Sequence, residues 1–81
     1  MDRSMVLDHL ALAERHVTEG EQHVNRQREL VAELRRKGKD TFLAQQVLQQ
    51  FQELLHLHVT DRDRLRRELQ EVSSTHVWAP R

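Results

Sequence analysis

Leu10, Val17, Val24 and Val31 return at intervals of seven, and Ala13, Gly20, Gln27 and Leu34 stand three residues behind each of them. This is the a/d spacing of a helix that buries one narrow stripe against a partner. A second stretch repeats the pattern with Ala44, Leu48, Phe51, Leu55, His58, Arg62, Leu65, Leu69 and Val72, broken in polarity only at His58 and Arg62. Two Gly and one Pro in 81 residues, with 32% of the chain charged, favour long solvated helices over strands or loops.

Between the two stretches stands "LRRKGKDTF". Arg35, Arg36 and Lys37 oppose the dipole of a helix C-terminus, Gly38 suits the left-handed position just past it, and Asp40 or Thr41 caps the next helix. The spacing predicts one helix over about 4–37, a turn at 38–40, a second helix over about 41–72 and a flexible tail over 73–81, all within one domain. So short a connection makes the helices antiparallel neighbours. The expected fold is all-α: a two-helix, coiled-coil-like hairpin.

Folding the chain about its turn opposes residues whose numbers sum to about 78, which sets Leu34 near Ala44, Gln27 near Phe51, Gly20 near His58 and Ala13 near Leu65. Small faces large at three of these layers. Glycine inside a helix costs about 1 kcal/mol relative to alanine, so Gly20 either makes room for the His58 ring or a close backbone, or is a tolerated glycine in a weakly packed layer.

The second helix carries more apolar surface than one seam uses, because Phe42, Leu43, Val47, Leu54, Leu57 and Val59 lie beside or outside the a/d row. Two helices cannot enclose a core on all sides, whereas two hairpins make a four-helix bundle with a wider stripe buried on each helix. The expectation is a homo-oligomer, with a dimer favoured, built on Phe42, Val47, Phe51, Leu54, Leu55 and Leu57 and open to a further protein partner.

Thirteen basic residues balance thirteen acidic ones, leaving no field to hold a polyanion or an anionic membrane. In "DRDRLRREL" Asp61, Asp63 and Glu68 interleave with Arg62, Arg64, Arg66 and Arg67, unlike the uncompensated stripe of a nucleic-acid surface. Charged residues interrupt the N-terminal apolar run, so neither a signal-peptide core nor a membrane span is expected, and the cytoplasm is the default location. Cysteine is absent, which removes disulfides and thiol chemistry but leaves histidine and carboxylate ligands. Ser4, Ser73 and Ser74 sit near helix ends and outside any nucleophile elbow, and there is no Gly-rich phosphate loop or HExxH, so no enzymatic activity is expected. Trp78, the single tryptophan, is either a partner anchor or a side chain docked on its own bundle.

Histidines stand at 9, 16 and 23, and Leu30 continues the row, one residue before each a position. Consecutive members are about 10.5 Å apart, too far for two of them to ligate one ion. The row accordingly reads as a half-buried edge of the seam. Glu19 shares the face of His16 and His23 at the spacings of three and four that bring side chains together. On the second helix Glu53 and His56 form Glu-x-x-His, and the pairing rule places His23 near Leu55 and His56, with His58 a further candidate.

The Glu53–His56 element resembles that of ferritin-like carboxylate bundles, including the two-helix encapsulated ferritins, and the chain as a whole is similar to short bacterial helical-hairpin proteins. The first resemblance implies a transition-metal ion such as zinc or iron held by Glu53 and His56; the second implies architecture alone. Three functions therefore stand open: a non-enzymatic interaction hairpin, a metal-binding bundle using His16, Glu19, His23, Glu53, His56 and His58, and a pH-responsive assembly in which charged imidazoles repel along the seam.

Overall fold

The computed structural model describes the backbone of residues 2–77 and the side chains of residues 2–73. Two helices, α1 (Arg3–Arg36) and α2 (Phe42–Val77), form an all-α hairpin. Asp2 caps α1, its side chain accepting from the Met5 N–H at 2.8 Å. The helix therefore begins at Arg3, one residue before its expected start, because the Asp2 carboxylate satisfies one of its orphan donors.

The C-terminus of α1 is a Schellman turn. Lys39 N–H donates to the Leu34 carbonyl at 2.9 Å and Gly38 N–H to the Arg35 carbonyl at 3.1 Å. Gly38 takes φ +68°, the left-handed conformation expected of it. Across the turn, the Asp40 carboxylate accepts from the Phe42 N–H at 2.9 Å, while Thr41 Oγ1 accepts from the Gln45 amide. Asp40, rather than the Thr41 side chain, satisfies an orphan donor of α2.

The helix α2 continues to Val77, past the expected end at Val72. Ser73, Ser74 and Thr75 are poor helix formers, but none breaks the backbone hydrogen-bond ladder, and the first true breaker is Pro80. The remainder of the expected tail, with Trp78, lies outside the described residues.

The seam falls where the heptads place it. Val6, Leu10, Ala13, Val17, Val24 and Val31 are buried on α1, with Gly20, Gln27 and Leu34 half-buried. On α2, Leu65 is buried and every other expected seam residue from Ala44 to Val72 is half-buried, Arg62 included. Leu65 is 2% exposed and packs with Leu10 and Ala13, flanked by Leu69; removing such a side chain from water contributes about 1.5–3 kcal/mol.

The register differs from the symmetric expectation. His16 meets His58 and His23 meets Phe51, pairs whose numbers sum to about 74. Gly20 faces Leu55 instead of His58, and the Gln27 amide donates to the Ala44 carbonyl at 2.9 Å instead of lying beside Phe51. Residues 39–41 are non-helical and advance about twice as far per residue as a helix does. The returning helix thus starts about one turn further down α1 than an equal-step fold would put it. Near the open end, Ala13 and Leu65 still pack in one cluster as expected.

A close approach explains why position 20 takes a small residue. A Cβ there would lie 3.1 Å from Leu55 Cδ1 and 3.7 Å from the Leu55 Cα, so the two backbones are near enough that any long side chain at position 20 would collide.

Candidate functional site

The residue before a seam position lies about 100° around its helix from that position. On antiparallel helices these two rotations have opposite hands when viewed from one end, so both columns arrive on the same broad side of the hairpin. That side carries Met5, Leu12, Leu30 and the histidine row from α1, with Glu19, Arg26 and Glu33 among them, together with Leu43, Val47, Leu54 and Leu57 from α2 and, towards the open end, Asp61, Arg64 and Glu68. A groove lined by His9, Leu12 and His16 from one helix and Asp61 and Arg64 from the other runs along it near the open end.

The residues just after seam positions occupy the other broad side. There Arg28, Ala32 and Arg35 line a groove with Gln45, Gln49 and Gln52, and Glu21 and Asn25 extend it. An Arg66–Glu14 ion pair at 3.5 Å bridges the helices on this side. Leu7 and Phe42 are its exposed large apolar residues among the described residues, so this side exposes fewer of them than the other.

The apolar face is open. Leu43 is 73% exposed, Leu57 63%, Leu54 and Met5 49%, Leu12 46%, Leu30 43% and Val47 37%. Together these seven leave on the order of 600 Å² of apolar residue surface on one side, interrupted by charged residues such as Arg26 and Asp61. Of the residues expected to mediate interaction, Val47, Leu54 and Leu57 belong to this face, whereas Phe42 is exposed at the start of α2 on the opposite side, in the column of Gln49 and His56. Phe51 and Leu55 are half-buried inside the hairpin, where they pack on His23 and Gly20.

The structure distributes the candidate metal ligands differently from the pairing rule. His16 and His58, both half-buried, are in contact across the seam with ring centroids 4.9 Å apart and an interplanar angle of 43°. His23 is stacked on Phe51 at 5.5 Å and is exposed, as are His9, Glu19, Glu53 and His56. The row at 9, 16 and 23 is therefore more open than a half-buried seam edge, with only His16 drawn inward. His23 and His56 cannot meet, because the first precedes a seam position and the second comes just after one, which puts them on opposite broad sides.

Glu53 lies two residues before Leu55, on the back of α2, so Glu53 and His56 have no facing ligand from α1 and the ferritin-type arrangement does not fit this chain. Among the described residues, no three His, Asp or Glu side chains are grouped to hold an ion.

Charge is locally neutralised. Arg64 donates to Asp61 at 2.7 Å and to Glu68 at 2.9 Å, and the bond to Asp61 is the first cause that raises its guanidinium further above its ordinary range. Arg62 turns to Asp63 while its stem stays in the seam. No described helix is long and apolar enough to cross a membrane. Comparison of the chain with protein-family models, curated protein sequences and solved structures gives no significant match.

Proposed function

We propose that this protein is a non-enzymatic interaction hairpin whose apolar broad face packs against a second copy of itself to complete a four-helix bundle. The observation that carries the reading is the placement of Leu12 and Leu30 on the same side as Leu43, Val47, Leu54 and Leu57, while the other side exposes only Leu7 and Phe42 among its described large apolar residues. A seam between two helices has no use for that face. The apolar surface of about 600 Å² is near the ~800 Å² that one partner contributes to a standard interface. A net charge of zero leaves no long-range repulsion between copies. Leu43, Val47, Leu54 and Leu57 line the turn-side half of the face with Leu30, and Leu12 and Met5 lie towards its open end, so a two-fold axis across the face would set the α2 column of one copy against that of the other.

The mechanism is then presentation: the intramolecular seam fixes two helices side by side, and the exposed column of each becomes half of the interface. Leu54→Glu puts a charge at the middle of the apolar column, whereas Gln49→Glu adds the same charge on the opposite side. Mass by light scattering, with thermal melting, distinguishes the two. Leu54→Glu is expected to yield monomers with a sharply lowered melting temperature, and Gln49→Glu to keep the wild-type mass. Equal masses for the three proteins would sink this face as the interface.

A further inference from the structure

We infer that His16 and His58 form a two-histidine chelate for a late first-row divalent cation such as Zn²⁺ or Cu²⁺, joining α1 to α2 at the middle of the hairpin. The two rings come from different helices and meet at a centroid separation of 4.9 Å. A tetrahedral ion held by one nitrogen of each ring at about 2.0–2.1 Å puts the centroids about 5 Å apart, so the observed spacing matches that of a chelate once each ring turns a nitrogen towards the ion.

Neither ring needs to be released from another partner first. Among the described residues, no hydrogen bond or ion pair engages either imidazole. Both are half-buried and held by long helices, which restricts their rotamers. Asp61, which shares a groove with His16, is paired with Arg64 at 2.7 Å, so the two imidazoles are the donors that define the site. Imidazole nitrogen selects zinc, copper and nickel over the oxygen-seeking magnesium and calcium. Two protein donors leave the remaining positions to water, and the site opens on the apolar face, where donors of a second copy can replace it.

The chelate is independent of the assembly: an ion shared by α1 and α2 binds the folded hairpin and not the open chain. At an ion concentration about a hundred times the dissociation constant it should raise the melting temperature by roughly 10 °C.

The test is titration of the full chain with Zn²⁺ up to about 100 µM in a non-chelating buffer, with calorimetry and the imidazole ¹⁵N–¹H spectrum as readouts. Wild type is expected to bind saturably, with the nitrogen signals of His16 and His58 shifting together. His16→Gln and His58→Gln should each abolish that binding, while His23→Gln and His56→Gln keep it. The Leu54→Glu chain should also keep it, which separates failure of the chelate from failure of the interface. Absence of saturable binding, or shifts confined to other histidines, would overturn the site. Where a Gln variant does not fold, the wild-type spectrum decides alone.

Discussion

The side of the hairpin that carries Leu43, Val47, Leu54 and Leu57 and the side that carries Gln45, Gln49 and Gln52 are two steps apart in sequence, one residue before the seam and one after it. The seam between them is common to both, so hairpin stability alone gives no reason for them to differ. Yet one offers leucine to solvent and the other glutamine and arginine. The difference teaches that α2 carries two apolar columns: one packed on α1 and one left exposed.

Substitutions in the shared seam break this comparison most severely, since both faces depend on it. Leu65→Ala removes the most completely buried large side chain of the Leu10–Ala13–Leu65 cluster and should destabilise the hairpin by about 2–5 kcal/mol. Denaturant unfolding is expected to show that loss, with any assembly falling apart in the same transition. Separate transitions for unfolding and dissociation would mean that the apolar face does not depend on the seam.

The turn sets which columns lie side by side but makes neither face. Gly38 has open space around its Cα and φ +68°, so Gly38→Ala strains the backbone without a clash and should cost about 1–2 kcal/mol. Both faces should survive: thermal melting falls while the mass in solution is unchanged. A changed mass would show that the turn, and not the exposed columns, governs association.

Gly20 gives the finest test. A Cβ there meets the far end of the Leu55 side chain at 3.1 Å, and Leu55 is only half-buried, so Cδ1 can move aside. Alanine recovers about 1 kcal/mol of helix propensity, and Gly20→Ala should therefore stabilise the hairpin by roughly 0.5 kcal/mol after that adjustment. Gly20→Leu should do the opposite, because the Leu55 backbone is itself close. A destabilising alanine would place the tight contact in the backbone rather than in the leucine tip.

How far the sequence could be read depends on which step of the chain is regular. The seam was legible from Leu10 to Val72 because the heptad is a property of the helix itself, and Gly38 was legible because few residues take the left-handed conformation. The register was off by a turn because the count treated residues 39–41 as if they advanced like helix. That error placed His58 opposite Gly20 and hid its contact with His16. Allowing for extended residues in the connection brings 16 and 58 together from numbering alone. The apolar residues outside the seam were visible one by one; that those of α1 and α2 share a side emerges only once the antiparallel geometry is added. The Glu53–His56 pair had the right spacing within one helix, but spacing within a helix says nothing about what stands across from it.

Sedimentation equilibrium of the unmodified chain at micromolar concentration tests the central claim most directly, because the open apolar face either has a second copy on it or does not. The account predicts the mass of a dimer or a higher closed assembly, dissociating on dilution in a single step with exposure of that face. A stable folded monomer throughout the concentration range would contradict it.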